Sequence, residues 1–391
     1  MRMNTSHRRQ WDIFCRVIDN YGDIGVSWRL ARQLVAEHGV AVRLWVDRMA
    51  SLHALCPQVQ AEASRQVVEG VEVFNMADES AFARPSEVVA NVVADVVVEA
   101  FGCGLPPNYV AAMAARAVKP LWIILEYLSA EPWVRDHHGL PSPHPQLNLP
   151  RYFFFPGCSE GTGGVLREAD LLVRRDAFDA AHEDRRWAWW SRMGFDAPPP
   201  EALIVSLFAY PHAPFAALLD ACAKGETPVV MVVPEGSLAE RVRADYATGG
   251  KNLELRYVPF VPQADYDTFL WACDVNFVRG EDSFVRAQWA GRPFVWHIYP
   301  QAENAHVAKL NAFLERYGET LPAPARHAVR GLWGAWNGVA GAAPVVPLVE
   351  AWRAFTRELP AQRQGLRQWQ DGLVRIGDVA GNLIQFSQKV I

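Results

Sequence analysis

The sequence lacks several features that would reveal its chemistry at once. Its six cysteines lie far apart and form no CxxC pair, so neither a zinc ribbon nor a thioredoxin-type site is predicted. Most of them lie in apolar segments, where a reduced, buried thiol is the ordinary state. No GxGxxG follows the first apolar segment and no P-loop occurs, which argues against a nicotinamide cofactor and a Walker-type nucleotide site.

Long apolar segments and an excess of basic residues are also lacking. No apolar stretch approaches the roughly 18 residues that span a bilayer. The polar start MRMNTSHRRQ leads into no signal-type core, because Asp12 and Arg16 interrupt the next segment. The net charge of -5 disfavours a general nucleic-acid binder but is compatible with a basic protein partner. We therefore expect a protein of the reducing cytoplasm that acts on neither nucleic acid nor membrane.

The histidines do not indicate a metal site. His137, His138 and His144 cluster in a proline-rich loop, and three histidines can ligate zinc. Their spacing fits neither a helical nor a knuckle pattern. We therefore predict no metal.

The sequence does contain a regular alternation of continuous apolar segments and helical periods. In the first helical stretch Ile24, Trp28, Ala31 and Leu34 recur at helical spacing, and Gly39 ends it. Continuous apolar strands are typical of parallel sheets covered on both faces, which predicts a doubly wound α/β fold. The predicted strands are 11–18, 41–47, 71–74, 94–101 and 120–127 in the first half, and 203–210, 227–233, 253–258, 274–278 and 293–298 in the second.

The chain divides into two α/β series. Residues 129–168 are rich in Pro, Gly and His, and 183–202 mix charge, tryptophan and a proline triplet. We place the first domain at 1–185, the second at 200–343 and a C-terminal helical tail at 344–391. Open parallel sheets bind ligands outside the carboxyl ends of their strands, so the residues that follow strands are the candidates for a site.

The segment VRGEDSF follows a predicted strand of the second series. Gly280 makes a turn, and a helix N-terminus after such a turn binds phosphate through its amides and dipole. Ser283 is predicted to donate to a phosphate oxygen, with Arg279 adding positive charge. Two acids would repel a phosphate, so Glu281 is predicted to hold a ribose or sugar hydroxyl. Helix capping by Asp282 or Ser283 explains part of the segment as well.

Three other loops follow strands of the second series. Gln263 in VPFVPQADYD either presents its amide edge to a base or simply opens the next helix. Phe208 and Tyr210 lie two apart and share one face if the strand continues, where they stack on a base or pack in the core. Tyr299 and Gln301 are polar candidates after the last predicted strand.

The segment VIDNYGDIG follows the first strand and places two carboxylates, Asp19 and Asp23, among turn-forming residues. Asn20 and Gly22 are ordinary turn residues, and Asp23 could cap the helix that begins near Ile24. The alternative is that both carboxylates act chemically on a ligand.

Four segments resemble the protein-arginine rhamnosyltransferases that modify translation elongation factor P, the EarP family. They are IFCRVIDNYGDIGVSWRLARQL, LEYLSAE, VPFVPQADYD and VRGEDSFVRAQWAGRPFVWHIYPQAENAH, and they keep the family's order along the chain. The resemblance implies a GT-B glycosyltransferase fold, with two facing Rossmann-like domains and a C-terminal helical tail. It also implies a metal-independent, inverting transfer of rhamnose from dTDP-β-L-rhamnose to an arginine of the factor, which is thereby activated to rescue ribosomes stalled at polyproline.

The resemblance makes Asp23 the catalytic base and Asp19 its acidic companion, and it makes Glu281, Asp282 and Ser283 the donor-binding segment. We count Glu281 among the predicted catalytic residues as well. A guanidinium, with a pKa above about 12, is a poor nucleophile, and an ordinary aspartate cannot deprotonate it in advance. We therefore hypothesise that Asp19 and Asp23 grip and polarise the guanidinium, with proton loss to Asp23 during or after attack. The predicted substrate-binding residues, separate from these three catalytic acids, are Gly22, Phe208, Tyr210, Gln263, Arg279, Asp282, Ser283 and Tyr299.

Two other functions stay open. A GT-B enzyme with another nucleotide sugar or acceptor shares the fold, and a non-enzymatic, nucleotide-sensing adaptor on a translation factor shares the nucleotide site. A sensor has no need for two acids that face a donor, so the orientation of Asp19 and Asp23 discriminates between the classes. If Asp23 only capped its own helix, its role as a base would be lost.

Overall fold

The chain forms two compact units. Unit 1 comprises Met1–Ala169 with Leu373–Ile391, and unit 2 comprises Asp170–Gly372. Each is built on its own largely parallel sheet, so the predicted α/β class is confirmed. The computed structural model describes residues 9–19, 21–76, 93–246, 250–339 and 346–390.

Unit 1 contains a seven-stranded sheet. Its strands are β1 (Gln10–Cys15), β2 (Ala41–Val46), β3 (Arg65–Val68), β4 (Val71–Asn75), β5 (Val96–Ala100), β6 (Leu121–Leu125) and β7 (Arg151–Phe154). They lie in the order β3-β4-β2-β1-β5-β6-β7, and all neighbours are parallel except the antiparallel pair β3 and β4. The chain builds outward from β1 in both directions, so the switch point of the sheet lies at β1 and β5.

Unit 2 contains a five-stranded, wholly parallel sheet. Its strands are β8 (Leu203–Leu207), β9 (Val229–Pro234), β10 (Leu253–Val258), β11 (Val275–Arg279) and β12 (Phe294–His297). Their order, β10-β9-β8-β11-β12, places the switch point at β8 and β11.

All ten predicted strands are present, although several end earlier than predicted. The two outer strands of unit 1, β3 and β7, were not predicted. Strand β3 is short and pairs with β4 through a tight hairpin, where Glu69 and Gly70 both adopt positive φ (49° and 80°). Strand β7 lies within the segment rich in Pro, Gly and His, whose composition predicts a loop.

The helices of the described residues cover the faces of the two sheets. No helix among these residues is both long and apolar enough to cross a bilayer. The helices are α1 (Gly22–His38), α2 (Met49–Leu55), α3 (Pro107–Ala115), α4 (Trp133–His137), α5 (Leu171–Ala180), α6 (His182–Arg192), α7 (Phe215–Ala223), α8 (Ser237–Asp245), α9 (Gln263–Ala272), α10 (Asp282–Trp289), α11 (Ala305–Gly318), α12 (Ala323–Asn337), α13 (Leu348–Arg357), α14 (Leu359–Ile376) and α15 (Val379–Val390).

The division into units differs from the expected domain ranges in two places. Helices α5 and α6 belong to unit 2. Trp189 of α6 stacks on Phe269 with ring centroids 5.4 Å apart, and Arg186 of α6 donates to the carbonyl of Ala272. The last helix, α15, belongs to unit 1 instead of a separate tail. The expected boundary at 343/344 lies outside the described residues.

A buried ion pair explains the acidic residue in β1. Asp12 is fully buried and accepts from Arg43 Nε and Nη2 over 2.5 and 2.6 Å, and from the hydroxyl of Tyr109. Burial raises the pKa of Asp12 even though Arg43 opposes this effect. These groups satisfy one another within the core, so we assign them a structural role.

Candidate active site

The predicted site residues lie at the carboxyl ends of strands in both units. In unit 1 Asp19 and Asp23 follow β1, and in unit 2 Phe208 and Tyr210 follow β8, while Arg279 ends β11. Strands β1, β8 and β11 are members of the switch points, which is where open parallel sheets bind ligands.

Asp23 lies in the first turn of α1 and is 1% exposed. Its Oδ2 accepts the backbone N–H groups of Ile18 and Asp19 over 2.7 and 2.9 Å, and its Oδ1 accepts the hydroxyl of Tyr127 over 2.8 Å. The N-cap residue is Tyr21, and no side chain caps the helix. Asp23 therefore does not cap α1, and its carboxylate instead holds the loop that precedes the helix.

The loop before α1 positions Asp19 beside this carboxylate. The side chain of Asp19 is partly exposed, and its carbonyl accepts the N–H of Gly22 over 2.6 Å, which closes the turn into the helix. Gly22 is the first residue of α1 and is buried. Asn20 lies outside the described residues. The structure thus brings Asp19, Gly22 and Asp23 together.

Tyr127 contacts Asp23, and Phe101 contacts Tyr127; sequence reasoning selected neither residue. Tyr127 follows β6 and Phe101 follows β5, at the same sheet edge as the loop after β1. The two rings stack with centroids 4.3 Å apart and an interplanar angle of 12°. The sequence contained one signal for Tyr127, which is a tyrosine close to the end of an apolar strand. The carboxyl ends of neighbouring parallel strands meet at one edge of the sheet, so such a residue can lie near Asp23.

In unit 2 the turn at Gly280 joins β11 to α10. Gly280 has φ 64°, and its carbonyl accepts Nε1 of Trp296 over 2.8 Å. Ser283 donates its hydroxyl to the carbonyl of Arg279 and accepts the N–H of Arg279 over 3.1 Å. The Ser283 hydroxyl is thus engaged within the turn, and the N-cap position is occupied by Glu281 without a side-chain capping bond.

The acids of this turn are held by basic side chains. Glu281 is 7% exposed, and its Oε2 lies 3.7 Å from Nζ of Lys309. Oδ2 of Asp282 accepts Nε2 of Gln263 over 2.8 Å and Nε of Arg286 over 3.2 Å. Gln263 therefore both opens helix α9, as one interpretation had it, and contacts Asp282. Lys309 and Arg286 were not selected, since their contacts depend on tertiary structure.

Arg279 lies between two aromatic side chains. Its guanidinium carbon is 4.8 Å from the ring centroid of Phe208 and 4.7 Å from that of Tyr210. Strand β8 ends at Leu207 instead of at residue 210 as predicted, so the condition for these aromatics to share a face of a continuing strand is not met. They share the guanidinium instead, a cation–π arrangement.

His297 and Tyr299 complete this cluster. Nδ1 of His297 accepts the N–H of Tyr210 over 3.2 Å, and burial, with His212 and Arg279 nearby, lowers the pKa of His297 to about 3. The ring is therefore neutral at physiological pH. Tyr299, 42% exposed, lies edge-on to Tyr210 with centroids 5.7 Å apart.

The three clustered histidines each contact the backbone of their own unit. Nδ1 of His138 accepts the N–H of Phe155 over 3.0 Å, and Nδ1 of His144 accepts the N–H groups of residues 146 and 147. Nδ1 of His137 lies 2.8 Å from the carbonyl of Trp133. Within the described residues no three metal-ligating side chains come together.

The stretch GCSEG (157–161) fits the GxSxG pattern of hydrolase nucleophile elbows but not their structure. An elbow needs a strand, a sharp turn and a helix in immediate succession. Here the carbonyl of Ser159 accepts the hydroxyl of Thr162 over 2.6 Å, and the next helix begins only at Leu171. The stretch is a loop.

Two Rossmann-like units with these strand-end sites are the pattern of GT-B glycosyltransferases. A solved glycosyltransferase from Rickettsia africae matches with a TM-score of 0.56 and 10% identity, covering 98% of this chain and 99% of that chain. The structure of Arabidopsis thaliana UGT89C1 with UDP matches with a TM-score of 0.50 and 12% identity, covering 98% and 99%. At such identities the likeness concerns the fold alone. The chain thus has the fold of the GT-B glycosyltransferases.

Closer relatives narrow the class. The model of the "Elongation-Factor P (EF-P) rhamnosyltransferase EarP" family matches residues 11–388. The protein-arginine rhamnosyltransferase of Pseudomonas putida is 47% identical over 96% of this chain and 98% of its own, and that of Shewanella oneidensis is 35% identical over 99% and 98%. A solved structure that describes EarP-mediated arginine glycosylation of translation elongation factor EF-P is 36% identical, with a TM-score of 0.66 over 98% of this chain and 100% of that chain. The chain belongs to the EarP family of protein-arginine rhamnosyltransferases, which confirms the predicted family and enzyme class.

Proposed function

We propose that this enzyme transfers rhamnose from dTDP-β-L-rhamnose to an arginine side chain of translation elongation factor P, with inversion at the anomeric carbon. The observation that carries the proposal is the buried Asp23 carboxylate, which is fixed at the switch point of unit 1 without capping its helix. Family membership supports the donor and the acceptor. The cytoplasm, where translation factors act, is the proposed location.

Unit 2 is proposed to bind the nucleotide. Phe208, which is partly exposed, offers an aromatic ring for stacking on a base, and Arg279 supplies positive charge for the diphosphate. Tyr210 is 6% exposed and supports Arg279 instead of stacking on a base. The helix that begins at Asp282 adds the positive end of its dipole. Glu281 is proposed to accept a hydrogen bond from a hydroxyl of the ribose or the sugar, and Gln263 and Tyr299 to line the same site.

Unit 1 is proposed to bind the acceptor guanidinium. The described contacts of Asp23 use three of the roughly four lone-pair sites of a carboxylate, which leaves Oδ1 able to accept a further N–H. Asp23 is 1% exposed, so the guanidinium reaches it only after neighbouring side chains move aside. Asp19, which is partly exposed, would form the first ion pair.

The proposed step forms one bond and breaks one. A guanidinium nitrogen attacks the anomeric carbon from the face opposite the diphosphate, the bond from that carbon to the diphosphate oxygen breaks, and dTDP leaves. The attacking nitrogen loses its proton to Asp23 during or after attack, because an ordinary carboxylate is too weak a base to remove it beforehand. Backside attack accounts for inversion, as in inverting glycoside chemistry.

No metal is required in this proposal. Arg279 and the N-terminus of α10 would offset the charge that develops on the leaving dTDP. Activity should therefore persist in EDTA, at a rate close to that without chelator.

Intact-mass measurement of elongation factor P tests the proposal. We expect a gain of one deoxyhexose after incubation with the enzyme and dTDP-β-L-rhamnose, and no gain with Asp23→Asn in the same time. Asp136→Asn is the matched control because Asp136 is an exposed carboxylate on α4, and it should react like wild type.

The same experiment with a panel of nucleotide sugars addresses the alternatives. A gain only with another donor would replace the proposed substrate. No gain with any donor, despite measurable dTDP binding, would favour a nucleotide-sensing adaptor. A near wild-type rate for Asp23→Asn would remove Asp23 as the base.

A further inference from the structure

The hydroxyl of Tyr127 contacts the carboxylate that the proposed function makes the base. It donates to Asp23 Oδ1 over 2.8 Å, whereas the amides of Ile18 and Asp19 donate to Oδ2. The two oxygens are therefore held from two separate loops, one after β1 and one after β6. With donors on both oxygens, the plane of the carboxylate is fixed.

The ring of Tyr127 is itself held by Phe101. The rings stack almost parallel, at 12°, with centroids 4.3 Å apart. Phe101 has φ 57°, in the left-handed region that bulky residues avoid, and its N–H donates to the carbonyl of Leu125 over 2.6 Å. Strained residues of this kind concentrate at functional sites, and here the strain places the ring against Tyr127.

We propose that Tyr127 is a positioning residue for Asp23, and that Phe101 holds the Tyr127 ring in the orientation this requires. The hydroxyl fixes Oδ1 so that its remaining lone pair is directed at the proton of the attacking guanidinium nitrogen. This inference rests on the proposed function, in which Asp23 accepts that proton.

Loss of the hydroxyl should affect the chemical step more than binding. Without it, Oδ1 loses a charge-assisted hydrogen bond and the carboxylate can rotate about its terminal torsion. The nucleotide is proposed to bind to residues of unit 2, whereas Tyr127 belongs to unit 1. We therefore expect kcat to fall while the KM for the donor and the affinity for dTDP change little.

Tyr127→Phe tests this directly. We expect kcat for transfer to elongation factor P to fall about 10- to 100-fold, the effect of losing one hydrogen bond to a charged group. The affinity for dTDP should stay within about twofold. Tyr152→Phe is the matched control, because it removes a hydroxyl from β7 of the same sheet, where the ring packs edge-on against Phe386; its kcat should equal that of wild type.

A double-mutant cycle with Asp23→Asn separates positioning from a general structural role. If Tyr127 acts through Asp23, adding Tyr127→Phe to Asp23→Asn should not slow the residual transfer further. Phe101→Leu, which keeps bulk but removes the stacked ring, should lower kcat severalfold with an unchanged donor KM. This second variant keeps the test available if Tyr127→Phe does not fold.

The outcomes separate this inference from the proposed function. A wild-type kcat for Tyr127→Phe, with transfer by Asp23→Asn strongly slowed, overturns the positioning role and leaves Asp23 as the base. The positioning role is also overturned if Tyr127→Phe slows transfer by the same factor in wild type and in Asp23→Asn. A near wild-type rate for Asp23→Asn removes the base assignment itself.

Discussion

Nε2 of Gln263 donates to Oδ2 of Asp282 over 2.8 Å and joins the first residues of helices α9 and α10. Arg286 donates to the same oxygen over 3.2 Å and pairs through Nη1 with Asp267 over 2.8 Å. All four side chains are at most 8% exposed. One guanidinium thus holds two buried carboxylates beside the segment proposed to bind the donor.

Replacing this guanidinium should destabilise unit 2. Arg286→Met leaves Asp267 and Asp282 buried without their shared cation, and breaking a buried ion pair typically costs about 3–5 kcal/mol. The midpoint of urea unfolding should fall accordingly. Arg174→Met is the matched control: Arg174 is 41% exposed and lies 3.9 Å from Asp267, so its loss should cost under about 1 kcal/mol. Equal midpoints for Arg286→Met and wild type would contradict the structural role of Arg286.

Arg279 should contribute strongly to nucleotide affinity. Arg279→Met keeps an aliphatic side chain between Phe208 and Tyr210 but removes the charge proposed to pair with the diphosphate. We expect calorimetric titration to show dTDP binding weakened about tenfold or more, as for the loss of one charge-assisted hydrogen bond.

The control for Arg279 is another cation that lies over an aromatic ring of unit 2. The guanidinium of Arg243 lies 3.9 Å from the ring centroid of Tyr257 and pairs with Glu235. Arg243→Met should leave dTDP affinity unchanged. If Arg279→Met also binds dTDP like wild type, then Arg279 does not contact the diphosphate.

The sheets and the strand-end loops were predictable because they follow from local signals. Continuous apolar segments such as 121–125 and 229–234 are buried on both faces, which is typical of parallel strands. The rule that ligands bind at carboxyl ends then selects the loops after β1, β8 and β11. This rule selected Asp19, Asp23 and Arg279 as candidate site residues.

The remaining site residues could not be found in this way because their contacts join distant parts of the chain. Tyr127 contacts Asp23 although the two lie 104 positions apart in the sequence. Lys309 contacts Glu281 from helix α11, which follows β12 in the chain. The placement of α15 in unit 1 likewise depends on side chains, since Gln33 of α1 donates to Oδ1 of Asp378 over 3.1 Å. Neither the hydrophobic periodicity nor the composition of a segment shows which distant residues its side chains will contact.

His297 should make the stability of unit 2 depend on pH. Its pKa is lowered from 6.5 to about 3, chiefly by burial and further by His212 and Arg279. The unfolded chain therefore binds a proton below about pH 6.5 that the folded chain does not bind, so stability is lost as the pH falls from 6.5 toward 3. The loss is about 1.4 kcal/mol per pH unit, or about 2 kcal/mol between pH 7 and pH 5.

His297→Asn isolates this effect. The asparagine Oδ1 can still accept the N–H of Tyr210, whereas the titrating ring is gone. Urea unfolding at pH 7 and at pH 5 should show a smaller loss for the variant than for wild type. His327→Asn, at an exposed position of α12, should retain the wild-type pH dependence. An equal loss in His297→Asn and wild type would show that His297 is not the source.

Gly164 should be essential for the attachment of α15 to unit 1. It has φ +76°, and a Cβ atom there would lie 2.3 Å from the carbonyl oxygen of Gly377, just before α15. Gly164→Ala combines left-handed strain with a backbone clash, so we expect a loss of about 2–4 kcal/mol in urea unfolding and faster proteolysis near the C-terminus. Gly194→Ala is the matched control, because Gly194 has φ +80° but no atom within 4 Å of its Cβ position, and strain alone costs about 1–2 kcal/mol. Helix α15 packs on α1, which carries Asp23. Transfer activity should therefore fall with Gly164→Ala and not with Gly194→Ala. Equal stability of the two variants would show that the close approach at Gly377 is relieved at little cost.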